Sequence, residues 1–202
     1  MTDLPPIETL VLTLHDIGAV QFGRFRLHSG KESRIYIDLR VLVSFPEALR
    51  QVTAAYAGAL APLHYDLLAA TPLAGLPIGT ALCLSLDKPL IYPRKTAKSY
   101  GTGKNVEGRW SIGQTAVVID DLITSGDSVL ETIAAVKAAG LHVHDAVVLI
   151  DREQGGREML AKQGYHVQPV MTLRQLLEIL VALAILALAL GASSIARAAD
   201  EV

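Results

Sequence analysis

Two adjacent carboxylates, Asp120 and Asp121, stand just ahead of a run of hydroxyls and one glycine, Thr124, Ser125, Gly126, Asp127 and Ser128, in the segment TAVVIDDLITSGDS. Neighbouring carboxylates suit vicinal sugar hydroxyls or a magnesium ion. Hydroxyls and glycine at the start of a helix suit a phosphate, because unpaired backbone N–H groups and the positive end of the helix dipole converge there. Polyol beside phosphate is the chemistry of a ribose phosphate. A second group of charges lies upstream, where Arg94, Lys95, Lys98 and Lys104 fall in RKTAKSYGTGKNVEG with no acid before Glu107. Such a cation cluster in a glycine-bearing loop matches a pyrophosphate. A third candidate is Arg152, in the DRE that directly follows an apolar run, and a guanidinium there suits a planar carboxylate. Competing accounts exist for each group. An acidic turn capping a helix would use one residue of the first group, a solvated charge run would explain the second, and pairing with Asp151 or Glu153 would occupy Arg152.

These residues need a scaffold, and the apolar pattern supplies one. Thr115 to Ile119 is a β-branched and small apolar run that reads as a buried parallel strand. The acid pair follows, then a turn from Leu122 to Gly126 and a helix over VLETIAAVKAAG. Upstream, Pro6 to Ala19 has helical spacing with Gly18 as its stop. Phe22 to Arg40 alternates with period two about Ser29-Gly30 and reads as a β-hairpin. Pro46 to Ala61 reads as a helix and Tyr65 to Ala70 as the first buried strand. TPLAGLPIGTALCLSL is a loop running into a helix, with backbone N–H groups between Leu73 and Pro77 on offer to an anion, and Pro89 to Tyr92 is a further strand. Arg94 to Gly108 has no apolar period and reads as an excursion from the sheet. His142 to Ile150 is a strand, Arg152 to Gly164 a loop and helix, and Tyr165 to Val170 the last strand. Strands and helices alternating this way predict an α/β fold with a mainly parallel sheet and right-handed crossovers.

Composition narrows the partners. The chain has 202 residues and a net charge of −2, so it carries no overall basic field for nucleic acid. Its one cysteine, Cys83, lies in an apolar run and reads as a core residue in a reducing, cytoplasmic setting, and the N-terminus lacks the pattern of an export signal. His142 and His144 share a strand face without a third ligand and read as structural. Gly101, Gly103 and Gly108 make no dinucleotide fingerprint, and Lys104 is followed by asparagine, so no P-loop is present. From Ile179 to Ala196 the chain carries no charge. Three readings of this tail stand open: a helix in the core or at a subunit contact, a membrane anchor, or a junction to another domain.

The segment VVIDDLITSGDS resembles the phosphoribosyl pyrophosphate (PRPP) signature of type I phosphoribosyltransferases. Three further segments, FGRFRLHSGKESRIYIDLR, PRKTAKSYGTGKNVEG and IDREQGG, are each similar to orotate phosphoribosyltransferases and occur in the same order, so the likeness covers roughly residues 6 to 175. It implies a type I phosphoribosyltransferase-like α/β fold with a small antiparallel hood in about 1–40. Residues 1–178 would form the transferase domain and 179–202 an apolar tail. It implies transfer of phosphoribosyl from PRPP to orotate in pyrimidine (UMP) biosynthesis, with Mg2+ carried by PRPP, and a homodimer whose 94–108 loop completes the partner's site. By resemblance, Arg94, Lys95, Lys98 and Tyr100 contact PRPP, as do Asp120, Asp121, Leu122, Ile123, Thr124, Ser125, Gly126, Asp127 and Ser128. Lys98, Asp120 and Asp121 are the catalytic set, and Thr124 and Arg152 contact orotate. The chain departs from the family at Tyr100, where histidine is frequent, at Asp127, where glycine is frequent, and at His28 and Ala74, where lysines are frequent. Lys31 is a substitute cation for the lost lysines. A phosphoribosyltransferase for another base, and a PRPP-binding regulator without turnover, are the alternatives.

Overall fold

The amphipathic repeat ahead of Gly18 folds as helix α1 (Ile7–Asp16), and Gly18 turns the chain at φ +75°, a left-handed conformation that costs glycine little. The computed structural model of the protein describes residues 7–26, 30, 32–94 and 105–200. Strands β1 (Val20–Arg26) and β2 (Glu32–Ile37) pair antiparallel, as the period-two alternation predicts. A 3-10 turn (Leu39–Ser44) leads to α2 (Pro46–Leu60). Pro46 takes the first helical position, where its missing N–H has no partner to lose.

The main domain then alternates β3 (Leu67–Ala70), α3 (Gly75–Leu86), β4 (Leu90–Pro93), β5 (Val106–Glu107), β6 (Thr115–Ile123), α4 (Asp127–Ala138), β7 (His142–Asp151), α5 (Gly156–Lys162), β8 (His166–Thr172) and α6 (Leu173–Asp200). The six-stranded sheet has the order β5-β4-β3-β6-β7-β8, parallel except for the β4–β5 pair. The chain steps outward from β3 to β4, then returns to place β6 on the other side of β3. The β3/β6 boundary is therefore the switch point, where crossovers diverge and ligands of open parallel sheets collect.

Two corrections to the sequence reading matter for the site. First, β6 does not stop at Ile119. Its ladder to β7 continues through Asp120↔Val148, Leu122↔Ile150 and Ile123↔Asp151, so the acid pair lies inside the strand and the turn begins at Thr124. Second, the 94–108 excursion includes strand β5, which folds back on β4 through Tyr92↔Glu107 and Pro93↔Val106.

Apolar side chains fill both faces of the sheet. Val117 and Ile119 of β6 join Leu10, Val52, Tyr56 and Leu176 on one face; Ala116 and Val118 join Val129, Ile133 and Leu160 on the other. Such two-sided burial explains the uninterrupted apolar runs of β6 and β7. The apolar tail belongs to α6, which runs unbroken across residue 179, so the expected domain boundary falls within a helix. Leu176 is buried and Leu177, Ile179 and Leu180 pack on the core, whereas Val181, Ile185, Leu186 and Leu188 are exposed. Among the described residues no helix is long and apolar enough to cross a membrane.

Candidate active site

The carboxyl ends of β3, β6 and β7 define one edge. At the end of β6, Gly126 adopts φ +90° as the N-cap of α4, and no side chain caps that helix. Its first N–H groups thus have no partner within the helix and point at the turn. Carbonyl groups of the same turn are directed the other way: Ile123 O accepts Arg152 N–H at 3.0 Å, and Thr124 O accepts Gly156 N–H at 3.0 Å. Gly156 permits this approach, since a Cβ there would lie 2.5 Å from Thr124 O and 2.8 Å from Gly126 N. The result is a cavity lined by Asp120, Thr124, Ser125, Gly126, Asp127 and Ser128, donor-rich and at the positive end of α4. Of the residues that the resemblance assigns to PRPP, Ile123 has its side chain in the core, so only its backbone can serve a ligand. Asp127 is exposed in the first turn of α4 and takes the Ser125 hydroxyl at 2.7 Å.

Asp120 is buried at 5 % exposure, and three elements hold it. Tyr56 of α2, itself fully buried, donates its hydroxyl to Asp120 O at 2.5 Å. The Thr71 hydroxyl at the end of β3 serves the carboxyl, and Thr132 of α4 donates to the oxygens of Ser128 (3.0 Å) and Thr71 (3.2 Å) in a shared geometry. Burial first, and then the charge of Asp121, push the Asp120 carboxyl up to about 8. Burial also raises Asp121, opposed by its hydrogen bond with Asp120 and by the Arg40 guanidinium beyond. The two carboxyls thus share a proton near neutrality, because like charges this close cannot both ionise cheaply. Ribose hydroxyls, or a cation arriving with the ligand, would replace that proton. Among the described residues no cluster of three metal-ligating side chains occurs, and a pair of neighbouring carboxylates suits sugar hydroxyls or a magnesium ion.

Arg152 stands at the same edge, just after β7, and its competing account fails. Asp151 accepts Glu153 N–H, Glu153 pairs with Arg174, and among the described residues Arg152 Nε is buried without a hydrogen-bond partner. Arg94 behaves differently. It lines a second cavity beside the cradle, with Thr71, Pro93, Ser128 and Thr132, but its guanidinium is paired with Glu107 of β5. In the β3–α3 segment, Gly75 N–H and Leu76 N–H are taken by Thr71 O and Leu73 O, so fewer amides are free there than the sequence suggests. Lys95, Lys98, Tyr100 and Lys104, and His28, Ser29 and Lys31, lie outside the described residues. His142 and His144 are exposed on β7, away from this edge. Sequence reasoning missed Tyr56, Thr71 and Thr132, which carry no local signal; Gly156, in the QGG that follows Arg152, had one.

A donor-lined phosphate cradle, a buried acid pair at the switch point and an antiparallel hood together define a type I phosphoribosyltransferase. The comparisons agree. Residues 47–167 match the family model described as the phosphoribosyl transferase domain. The chain is 42% identical over 170 residues to the orotate phosphoribosyltransferase of Pyrobaculum aerophilum, covering 84% of this chain and 88% of that one. It is 41% identical to the bifunctional enzyme PyrF/PyrE of Nostoc sp., with 87% of this chain matched but 37% of the relative. Among solved structures, orotate phosphoribosyltransferase from Aeropyrum pernix superposes with a TM-score of 0.76 at 35% identity, over 85% of this chain and 97% of that one. Leishmania donovani UMP synthase gives 0.79 at 42% identity, over 85% of this chain and 37% of that one. The chain thus spans little more than a third of the longer relatives and nearly all of the shorter ones. It belongs to the orotate phosphoribosyltransferase family.

Proposed function

We propose that the protein transfers the 5-phosphoribosyl group of PRPP to orotate, giving orotidine 5'-phosphate and pyrophosphate, a step of pyrimidine (UMP) biosynthesis. The observation that carries this reading beyond a generic ribose-phosphate site is Arg152: a guanidinium at the carboxyl edge of the sheet whose buried Nε has no partner among the described residues, suited to the carboxylate of the base. The cradle from Thr124 to Ser128 holds the 5-phosphate, Asp120 and Asp121 take the ribose hydroxyls, and Thr124 lies between phosphate and base. In the reaction the bond from ribose C1 to a pyrophosphate oxygen breaks, a bond to the base nitrogen forms, and that nitrogen loses its proton. Positive charge develops on the ribose, so the protein's part is to orient the reactants, accept the departing charge and exclude water.

Magnesium, bound through the pyrophosphate, supplies additional neutralisation of the leaving group. On the protein side Lys98, Lys95 and Arg94 take that role, which requires Arg94 to exchange its Glu107 partner for phosphate oxygens. Lys98 and Tyr100 belong to the 94–108 loop, which we assign to the neighbouring site of a homodimer. The lone cysteine, Cys83, is free and half-buried, in keeping with a reducing cytoplasmic compartment. The test is turnover of orotate with PRPP and magnesium, in the parent and in Arg152→Ala. Loss of two charge-assisted hydrogen bonds, about 3 kcal/mol together, lowers kcat/KM for orotate by about a hundredfold. Turnover of orotate unaffected by the substitution would take the base carboxylate away from Arg152, and no orotate turnover in the parent would reassign the base.

A further inference from the structure

Both carboxylates flanking Arg152 in the chain are committed elsewhere, and one of those commitments is made by a distant element. Asp151, 4 % exposed, accepts Glu153 N–H at 2.8 Å. Glu153 has φ +55°, a left-handed backbone that side-chain-bearing residues seldom adopt. Its carboxylate reaches the first turn of α6, where it accepts Arg174 N–H at 3.0 Å and lies 3.3 Å from the Arg174 guanidinium. The β7–β8 register explains the proximity: Asp151 is paired with Thr172, so the residues after each strand stand side by side.

A buried guanidinium N–H without an acceptor is costly, and the carboxylate of Glu153, one residue along the chain, is a remedy close at hand. The fold does not use it. The positive end of α6 and the Arg174 guanidinium draw the same carboxylate away. We propose that Glu153 and Arg174 are positioning residues for the base: the start of α6 sequesters the Glu153 carboxylate so that Arg152 stays open to a carboxylated substrate. This rests on the assignment of Arg152 to the carboxylate of orotate. Once released, Glu153 is an internal competitor for that guanidinium, and it weakens the base without touching PRPP.

The experiment is steady-state kinetics of Arg174→Ala, Glu153→Gln and the double variant on the full chain, with thermal melts. Arg174 is 73% exposed, so its truncation leaves the core intact. An exposed ion pair of this kind governs at most about a fivefold shift, so Arg174→Ala raises KM for orotate about three- to fivefold, with kcat and the KM for PRPP unchanged. In the double variant an amide cannot neutralise Arg152, and KM for orotate returns to near the parent value. If the double variant stays as impaired as Arg174→Ala, the pair merely pins the loop and the proposal is wrong; an unchanged KM in Arg174→Ala rejects it equally. Arg152→Ala separates the two levels. Full activity in that variant removes the assignment of Arg152 to the carboxylate of orotate, whereas a large loss there without rescue in the double variant removes only the role of Glu153 and Arg174.

Discussion

Asp127→Asn is expected to tighten PRPP binding. In the free protein Asp127 accepts the Ser125 hydroxyl at 2.7 Å, and both residues are exposed at the mouth of the cradle. A phosphate seated on the turn takes that hydroxyl and stands beside the carboxylate. At about 6 Å, with a phosphate charge of about −2 and a water-like dielectric, the repulsion is about 1 kcal/mol. A screening length of about 8 Å at physiological salt cuts this roughly in half. Releasing the Ser125 hydroxyl from a charged acceptor adds about 0.5 kcal/mol. The sum, about 1 kcal/mol, is a factor of about five in KM for PRPP. Stability moves the other way, because Asp127 sits favourably at the positive end of α4 and its neutralisation costs about 0.5 kcal/mol. KM for PRPP at saturating orotate, measured at low and high ionic strength, is the assay. The gain shrinks with added salt if repulsion is its cause. A KM that rises, or a gain indifferent to salt, would refute the electrostatic account of this residue.

Three further outcomes follow from the geometry. Gly156→Ala places a Cβ 2.5 Å from Thr124 O and 2.8 Å from Gly126 N, so the cradle must shift; overpacking of this kind costs about 1–3 kcal/mol, and kcat/KM for PRPP falls by about tenfold or more. Wild-type kinetics in that variant would show that the cradle tolerates displacement. Asp120→Asn flattens the pH dependence of stability. The folded carboxyl titrates near 8 and the unfolded one near about 4, so between those values the folded state holds a proton that the unfolded state has released. Stability of the parent therefore falls as pH rises through that window and levels off above it. The variant gains on the parent between pH 5 and pH 8 in urea unfolding, and parallel curves would sink the assignment. A chain ending at Leu180 keeps the parent's denaturant midpoint, whereas one ending at Thr172 loses buried Leu176 and its neighbours and at least about 3 kcal/mol. Equal losses from both truncations would mean that the exposed part of α6 is packed after all.

What the sequence disclosed about this molecule was local chemistry. The apolar runs of β6 and β7 announce a buried parallel sheet because both faces are covered, and the hydroxyl-glycine turn announces an uncapped, donor-lined helix start because its donors are contiguous in the chain. The end of β6 was misjudged for a physical reason: two acids resemble a strand stop, yet the ladder to β7 continues through them while Tyr56, Thr71 and a shared proton meet their needs. Apart from Asp121 that support lies far from Asp120 in the chain; Tyr56 is 64 residues away. Arg94 shows the same limit from the other side, since its partner Glu107 becomes adjacent only when β5 folds back. Arg152 carries the lesson furthest. Residue type left pairing with a flanking carboxylate as a competing account, and the fold prevents it by giving Asp151 a backbone donor and Glu153 a helix terminus. A sequence shows which groups attract one another, but a binding site also depends on which attractions the tertiary structure has already satisfied, and Arg152 is open because Glu153 is not.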